Sequence, residues 1–305
     1  MSEKNKTPKI IVVLGPTASG KSDLGVELAI EFNGEVISAD SRQVYTWLDI
    51  GTGKITKSEM KGVPHHLLDV SPPEKIFTVA DFKRLGEEAI KSILEKGKLP
   101  IICGGTGFYI EALLGETSIP EVLPNPELRK ELEDKNAEEL FDILQKLDPE
   151  RAETIDAKNK RRLVRAIEIC KELGKVPKIP NGKSQITNKF QILKIGIKVP
   201  DEELKKRINI RLEKRIEIGM IEEAEKLHKD GLSYERMREL GLEYGALVDF
   251  LDNKITKEEM VARLQTEIWQ YAKRQMTWFK RDTEIKWFNP KDPLVPEEVK
   301  RFLEN

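Results

Sequence analysis

The sequence predicts an α/β protein whose core is a parallel sheet, with a small helical domain inserted into it. Three observations carry this prediction. Strand and helix patterns alternate through the first hundred residues, a glycine-rich loop follows the first strand, and prolines introduce a charged helical stretch near residue 116. A chain of 305 residues is long enough for one large domain or two modest ones.

The predicted core elements follow in order along the chain. Residues 10–14 (IIVVL) form a continuous apolar run, which is typical of a strand buried on both faces. Residues 35–38 and 99–103 are further short strands. Between the strands, apolar residues recur at helical spacing at Leu24, Leu28 and Phe32, and then at Phe82, Leu85, Ala89, Ile90, Ile93 and Leu94. Such alternation predicts parallel strands joined by right-handed crossovers.

The second half of the chain begins with the predicted insertion. An almost purely helical, charged stretch runs from about residue 117 to 175, and the soft segment GKVPKIPNGKSQITN follows it. We therefore predict a discontinuous core of residues 1–116 and 187–305 around a helical insertion of residues 117–186. Residues 191–199 alternate like a strand that rejoins the sheet, and helices follow from about Asp201. The clearest helix begins at Thr256 with the capping-box partner Glu259, whereas residues 289–305 are predicted to be a polar tail with a short helix at most.

Composition and charge exclude several classes of protein. The 52 Lys and Arg residues nearly balance 53 Asp and Glu residues, which argues against indiscriminate coating of nucleic acid but allows a local basic patch. Cys103 and Cys170 lie in predicted buried elements without a CxxC pair or a Cys/His cluster, so neither a zinc site nor a disulfide framework is expected. The start of the chain is polar and no apolar run approaches about 18 residues, so the expected compartment is the cytoplasm.

A phosphate-binding motif follows the first strand. GPTASGKS at 15–22 matches G-x-x-x-x-G-K-[ST] at every fixed position, with a buried strand before it and a helix after it. The two motif glycines let the backbone curl so that N–H groups point at phosphate oxygens. Lys21 supplies a positive charge, and the Ser22 hydroxyl is placed to ligate Mg²⁺. The predicted diphosphate or nucleotide site is Gly15, Pro16, Thr17, Ala18, Ser19, Gly20, Lys21 and Ser22.

Asp40 is the next candidate, because it follows the second strand at its carboxyl end, where open α/β sheets bind ligands. In an ordinary P-loop NTPase or small-molecule kinase it would help to hold Mg²⁺. A turn or helix cap beside Ser41 is its alternative role. An arginine-rich lid of the kind that kinases close over ATP is not evident in the sequence, but the motif by itself leaves a kinase open.

Six short motifs follow the phosphate loop in order: DSRQVY at 40–45, GTGK at 51–54, GVPHH at 62–66, GGTGFY at 104–109, RRLVRA at 161–166 and KRQMTWF at 273–279. Together they resemble the tRNA dimethylallyltransferase (isopentenyltransferase) family over about residues 9 to 288. Family members often carry Ile-Gly-Tyr where this chain has Leu240-Gly241-Leu242-Glu243-Tyr244, so we expect a local structural variation there.

The resemblance implies a P-loop NTPase-like fold that performs prenyl transfer. The loop would bind the diphosphate of dimethylallyl diphosphate with Mg²⁺, and the five-carbon group would pass to N6 of adenosine 37, flipped out of the tRNA anticodon loop. Asp40 is implied as the general base that takes the N6 proton, with Lys21 and Thr17 as the other catalytic residues. Lys21, Mg²⁺ and the loop N–H groups would meet the charge of the departing diphosphate.

The resemblance also implies which residues contact tRNA: Asp40, Ser41, Arg42, Gln43, Thr106, Arg129, Arg161, Arg162, Leu163, Val164 and Arg165. Arg161 and Arg165 share a helix face opposite an apolar stripe that includes Leu163. Five basic residues between positions 158 and 165, without an intervening acid, favour RNA phosphates over a merely solvated face. Arg129 lies in LRKELE, which also fits an ordinary solvated helix.

The remaining candidates are weaker. His65 and His66 lack a third metal ligand nearby, so packing or hydrogen bonding is expected of them. Trp269, Tyr271, Trp278 and Phe279 are expected in the core rather than in a base-stacking platform, and the sequence does not orient Arg274 and Gln275. We expect a monomer that binds the anticodon stem-loop. An adenylate isopentenyltransferase and an RNA-binding protein with a vestigial P-loop are alternatives; the basic insertion argues against the first, and intact Lys21, Ser22 and Asp40 against the second.

Overall fold

The computed structural model describes residues 7–177, 189–241 and 243–305. The chain divides into two compact units, one made of Met1–Gly115 and Lys183–Asn305 and the other of Glu116–Gly182. The predicted boundary between residues 186 and 187 lies outside the described residues, as does Leu242 in the stretch where a local variation is expected.

The first unit contains a six-stranded sheet in its described part. Its strands are β1 (Lys9–Leu14), β2 (Gly34–Ser38), β3 (His65–His66), β4 (Leu99–Gly104), β5 (Gln191–Ile197) and β6 (Lys286–Phe288). All neighbours pair in parallel in the order β3-β2-β4-β1-β5-β6. The predicted α/β class and all four predicted strands are confirmed. β3 and β6 were not predicted, because two or three residues are too few to show a pattern.

The described helices are α1 (Lys21–Glu31), α2 (Val79–Glu95), α3 (Gly107–Leu113), α4 (Pro126–Glu133), α5 (Ala137–Leu147), α6 (Pro149–Thr154), α7 (Lys160–Leu173), α8 (Asp201–Glu217), α9 (Met220–Lys229), α10 (Tyr234–Leu240), α11 (Glu243–Leu251), α12 (Lys257–Phe279) and α13 (Leu294–Glu304). Within the described part of the chain, none of them is long and apolar enough to cross a membrane.

Helices cover both faces of the sheet, which explains why β1 is apolar at every position but the first. Ile10 and Val12 pack on one side with residues of α2 and α3. Ile11 and Val13 pack on the other with residues of α1 and α13. A third cluster joins helices α8 to α12 to the segment after β2, including Val44 and Tyr45. The central strands therefore hold their carboxyl ends in fixed positions.

Two helix predictions have different outcomes. The capping box of α12 is confirmed: the Glu259 N–H donates to Thr256 Oγ1 at 3.2 Å, and the Thr256 N–H donates to Glu259 Oε2 at 2.7 Å. The prediction of a polar tail with only a short helix is wrong, because α13 has 11 residues. Val295 and Val299, one turn apart on this helix, are buried beside strand β5, and the charged residues around them hide this narrow apolar face.

The second unit has a hydrophobic core of its own, built by α4 to α7 around Leu140, Leu144 and Ile167. Beside this core lies a buried carboxylate, Glu168. It accepts hydrogen bonds from Arg129 (Nε 2.7 Å, Nη2 3.0 Å), from Arg165 Nη1 (3.1 Å) and from the Asn125 N–H (3.0 Å). A buried carboxylate needs such partners, so this network organises the unit around α7.

Candidate functional site

The phosphate loop leaves the sheet at the carboxyl end of β1 and leads into α1. Gly15 has a φ of +155° and Gly20 a φ of +90°, both of which L side chains rarely adopt. At Gly15 a Cβ would also lie 2.8 Å from the Ile197 carbonyl oxygen. Gly20 is the N-cap residue of α1, so the free N–H groups of the first helical turn adjoin the loop. This arrangement is suited to binding an anion.

Lys21 is the cation of the loop. Its Nζ donates to the Pro16 carbonyl oxygen at 3.1 Å, and its side chain lines a pocket at this edge of the sheet. Burial lowers the pKa of Lys21, and the nearby Arg211 guanidinium lowers it further, whereas Cys103 and Asp40 act in the opposite direction. An anion in the pocket would offset the cost of holding this buried ammonium in its charged form.

A buried side chain joins the phosphate loop to the second glycine-rich turn, which follows β4. Gln275 on α12 accepts from the Thr17 N–H at 2.9 Å through Oε1 and donates to the Gly105 carbonyl oxygen at 2.9 Å through Nε2. A Cβ on Gly105 would lie 2.2 Å from that Nε2, so only glycine leaves room for the bridge. Gln275 therefore sets the spacing of the two turns, a role that the sequence left open.

Asp40 follows β2 and also lines the pocket. Its Oδ1 accepts from the Arg42 N–H at 2.9 Å and from the Gln43 N–H at 3.3 Å, which is the turn-capping role considered as an alternative. No hydrogen bond reaches its Oδ2 from any described residue. One carboxylate oxygen thus holds the turn, and the other remains available for chemistry.

Thr106 connects the end of β2 to the turn after β4. Its Oγ1 accepts from the Ser41 N–H at 3.1 Å, and its own N–H donates to the Ala39 carbonyl oxygen at 3.1 Å. Ser41 and Thr106 therefore lie together, as expected for strands that end at the same sheet edge. Arg42 and Gln43 line the pocket beside them.

The facing wall of the pocket comes from α8 and the GTGK motif, and sequence reasoning missed its arginines. Arg211 Nη2 donates to the Gly53 carbonyl oxygen at 2.8 Å, and Arg215 Nη1 donates to that of Gly51 at 2.9 Å. Arg215 is buried and pairs with Glu243 at 2.9 Å. Burial, followed by the neighbouring Arg215, lowers the pKa of Arg211. Charged residues occur all around α8, so no sequence signal distinguishes these two.

The segment 40–54 between Asp40 and the GTGK motif is held rigidly. Glu223 accepts from three consecutive N–H groups, those of Asp49 (2.9 Å), Ile50 (2.7 Å) and Gly51 (2.8 Å). The buried Lys54 ammonium donates to the Tyr45 carbonyl oxygen at 2.8 Å and to the carboxylates of Asp49 and Asp69. Lys54 of the GTGK motif therefore has a structural role, and the segment 40–54 forms a fixed wall of the pocket.

The pocket is lined by both charged and apolar side chains. Four cations (Lys21, Arg42, Arg211 and Arg215) and two carboxylates (Asp40 and Glu243) share it with the apolar side chains of Ile55, Ile208 and Ile268. Such a lining fits a small ligand with an anionic group and an apolar group. Ser22 contributes a hydroxyl to the same lining. This oxygen donor suits Mg²⁺, which binds proteins through one or two side chains and takes its other ligands from water and substrate phosphates.

The predicted tRNA-contacting residues of the second unit differ in their surroundings. Arg161 and Arg162 are exposed and have no acidic partner in the described part of the chain. Arg129 and Arg165 instead pair with Glu168. Leu163 is 0% exposed in the core of the unit, so its predicted contact with tRNA does not fit its position, and Val164 is half-buried against the same core.

The histidines and aromatic residues form part of the framework. His66 Nε2 lies 2.8 Å from Oε2 of the buried Glu35, and His65 Nδ1 lies 2.9 Å from the Val63 carbonyl oxygen, so both make the expected hydrogen bonds. Phe279 is buried as expected. Tyr271 is only half-buried and lines the pocket, while Trp269 and Trp278 are half-buried against the core clusters.

Comparisons with known proteins find relatives that match nearly the whole chain. The sequence model of the IPP transferase family matches residues 43–282. A tRNA dimethylallyltransferase of Bacillus mycoides is 38% identical over 97% of this chain and 94% of its own length. The crystal structure of a tRNA isopentenylpyrophosphate transferase from Staphylococcus epidermidis superposes with a TM-score of 0.71 at 36% identity, covering 97% of this chain and 99% of that one. A eukaryotic dimethylallyltransferase acting on tRNA gives a TM-score of 0.81 at 28% identity, covering 97% of this chain and 78% of that one.

Proposed function

The chain belongs to the IPP transferase family, and we propose that it transfers the dimethylallyl group of dimethylallyl diphosphate to N6 of adenosine 37 in tRNA. The products are N6-isopentenyladenosine and diphosphate. The observation that carries the proposal is the pocket itself, in which a phosphate loop, a free carboxylate oxygen and apolar side chains meet. A kinase pocket needs the first two features, but the apolar side chains suit a five-carbon group.

In the proposed reaction the N6 lone pair attacks C1 of the dimethylallyl group. The C1–O bond breaks, and its electron pair leaves with the diphosphate. Asp40 takes the proton that N6 loses, and its unoccupied Oδ2 is the acceptor. The Arg42 and Gln43 N–H groups hold Oδ1 and so fix the orientation of the carboxylate.

The diphosphate leaves with more negative charge than it carries in the substrate. Lys21, the phosphate-loop N–H groups and the Thr17 side chain would meet this charge from one side, and Arg211 from the facing wall. Mg²⁺, which Ser22 would hold, supplies further positive charge to the diphosphate oxygens when it is bound. Gln275 already occupies the Thr17 N–H, so the Thr17 hydroxyl is the part of that residue that serves the substrate.

Exposed cations support an RNA substrate. Arg161 and Arg162 on α7 are exposed, and so are four residues at the C-terminal end of α12: Lys273, Arg274, Lys280 and Arg281. These four lack an acidic partner among the described residues. Cations without acidic partners are suited to RNA phosphates. We propose that cations of this kind bind tRNA phosphates, which gives Arg274 a role that the sequence did not assign.

We also propose that the enzyme is a monomer and works in the cytoplasm. The phosphate loop, Asp40 and Arg211 already meet in one pocket within a single chain, which supports a monomer. The compartment follows from the proposed tRNA substrate. Light scattering at increasing protein concentration tests the monomer: a constant mass of one chain is expected, and a dimer would contradict it.

One assay tests the function. The protein is incubated with labelled dimethylallyl diphosphate, Mg²⁺ and either an unmodified anticodon stem-loop with adenosine at positions 36 to 38 or free AMP. Label is expected in the stem-loop. Label in AMP alone would identify an adenylate isopentenyltransferase, and phosphoryl transfer from ATP without prenyl transfer would identify a kinase.

The Asp40→Asn variant tests the base. An asparagine oxygen still caps the turn but cannot take a proton, so transfer should fall by about 10²- to 10⁴-fold while diphosphate binding changes little. The matched control is Asp292→Asn, because Asp292 Oδ1 accepts from the N–H two residues ahead in the same way, outside the pocket. Equal losses of transfer and diphosphate binding in Asp40→Asn would indicate a metal-binding role instead.

A further inference from the structure

Trp47 is the most exposed tryptophan of the chain. It lies in the pocket-wall segment 40–54 and is 62% exposed. The other three tryptophans, Trp269, Trp278 and Trp287, are half-buried against the core clusters. Within the described part of the chain, Trp47 takes part in no ring stacking and no cation–π contact. Its indole is therefore less packed against the fold than the ring of any other tryptophan.

The backbone at Trp47 is unusual as well. Its φ is +64°, in the left-handed region that bulky residues avoid and that glycine adopts freely. The flanking Tyr45 and Leu48 are buried, so the chain turns outward at Trp47 and returns at once. A large aromatic residue thus occupies a position where backbone strain and the lack of packing both favour glycine. An outlier of this kind points to function.

Hydrogen bonds hold the backbone on both sides of Trp47. On one side, the Thr46 N–H donates to the Ser71 carbonyl oxygen at 2.9 Å. On the other side, Glu223 accepts from the Asp49, Ile50 and Gly51 N–H groups. A ring held in this way loses little conformational entropy when a ligand packs on it.

Trp47 belongs to a segment that lines the pocket. Arg42, Gln43 and Thr52 of the same segment line it on either side of Trp47 in sequence. The four Cα-to-Cα steps from Gln43 to Trp47 span at most about 14 Å, and a short run of unpaired nucleotides covers that distance. Lys54, the one lysine of segment 40–54, is engaged by Asp49 and Asp69, so it is not free to bind a phosphate beside Trp47.

We propose that Trp47 stacks on an unpaired base of the anticodon loop, next to the adenosine that enters the pocket. The proposal rests on the proposed function, because flipping one base out of the loop leaves its neighbours with exposed faces. Aromatic side chains bind such faces without regard to sequence. Trp47 is therefore a substrate-binding residue that covers the RNA beside the pocket.

Fluorescence of 2-aminopurine tests the contact. The probe replaces, one at a time, the bases on either side of adenosine 37 in the stem-loop, and each RNA is titrated with wild-type protein, Trp47→Gly, Trp47→Phe and Ile30→Ala. Stacking on Trp47 should quench at least one probe with the wild type and with Trp47→Phe, but not with Trp47→Gly. The control Ile30→Ala removes another exposed apolar side chain, on α1, and should behave as the wild type does.

The affinities give a second readout. Trp47→Gly should bind the stem-loop about tenfold or more weakly, with an unchanged slope of log Kd against log salt concentration, since no charge is lost. Its melting temperature should not fall, because glycine relieves the strained φ. An unchanged Kd, an unchanged probe signal or a changed salt slope would overturn the stacking proposal even if the wild type prenylates the stem-loop. A wild type that fails to prenylate it would instead contradict the proposed function.

Discussion

At the scale of single residues, Gln275 shows how a side chain distant in sequence joins the two glycine-rich turns of the proposed phosphate site. It contacts residues 258 and 170 positions away in the sequence, and both contacts are made by its one amide group. An amide suits this position because it accepts at one atom and donates at the other. A carboxylate or an apolar side chain cannot do both.

Gln275→Glu should therefore weaken the site. The carboxylate would face the Gly105 carbonyl oxygen without a proton to donate, and it would place a negative charge beside the diphosphate. We expect inorganic diphosphate to inhibit the variant about tenfold more weakly than the wild type, with kcat also reduced. Thr277→Ala is the control, since the Thr277 hydroxyl donates to the Lys273 carbonyl oxygen of its own helix and to no other described residue. Equal inhibition of variant and wild type would show that the bridge does not shape the diphosphate site.

Glu35 predicts a pH dependence of stability. Burial alone would raise the pKa of Glu35, but hydrogen bonds from Lys98, His66 and Lys96 outweigh it and lower the pKa from 4.5 to about 2. Because the folded pKa lies below the unfolded one, this stabilisation is complete above pH 4.5 and is lost as the pH falls toward 2. The loss amounts to about 3 kcal/mol.

Denaturant unfolding of wild type and Glu35→Gln at several pH values measures this effect. The wild type should be the more stable protein at about pH 6, and the difference should shrink as the pH falls to about 3. Glu87→Gln, at an exposed ion pair with Lys83, should show almost no difference at either pH. A difference for Glu35→Gln that does not change with pH would contradict the lowered pKa.

The residues that could be predicted from the sequence are those whose signal is local. Lys21, Ser22 and Asp40 stand in short motifs next to recognisable strands, so their position at one sheet edge follows from topology. Arg211 and Arg215 meet the GTGK loop across 158 and 164 positions. No spacing rule links residues so far apart, and only the packing of α8 brings them to the pocket.

At the scale of elements, the arginines of α7 have two different kinds of surroundings. Arg161 and Arg162 in its first turn are exposed, whereas Arg165 in the next turn donates to Glu168 Oε2 and to the Val122 carbonyl oxygen. The residues were adjacent in one predicted basic patch. In the structure, the buried Glu168 of the same helix binds Arg165 but not Arg161 or Arg162. A helical pattern in the sequence does not reveal that this carboxylate is buried.

Charge reversal on α7 tests this division. Arg161→Glu with Arg162→Glu should weaken binding of the stem-loop and lower the magnitude of the salt slope by about 1 to 2, since two phosphate contacts are lost. The melting temperature should stay the same. Arg129→Ala should instead lower the melting temperature, because it leaves Glu168 with fewer hydrogen-bond partners. Unchanged RNA binding in the double variant would remove α7 from the proposed RNA surface.

Short or narrow elements were the ones that the sequence did not predict. β3 and β6 have two and three residues, and they form only because β2 and β5 already offer an edge with which to pair. In α13, Val295 and Val299 are buried in the cluster that contains Leu193, Ile195 and Ile197 of β5, and Phe302 and Leu303 pack against the same cluster. Tertiary packing rather than local propensity determines these elements.

At the scale of the whole molecule, the two units have separate hydrophobic cores. Damage to one core should therefore spare the other. Glu168→Ala removes the acceptor of two arginines and one N–H group from the second unit. Hydrogen exchange should then quicken in residues 116–177, while β1 and β4 keep their protection. Glu172→Ala, at an exposed position of the same helix, is the control, and faster exchange throughout the sheet would contradict this independence.

The order of the strands has a consequence during synthesis on the ribosome. β1 pairs on one side with β4 and on the other with β5, which is not made until residue 191. At a typical elongation rate the ribosome needs several seconds to pass from β4 to β5. For that time the nascent chain carries an open, apolar β1 edge, while the second unit, complete in itself, emerges first. Nascent chains of this protein are therefore most exposed to misassembly in the interval before β5 emerges.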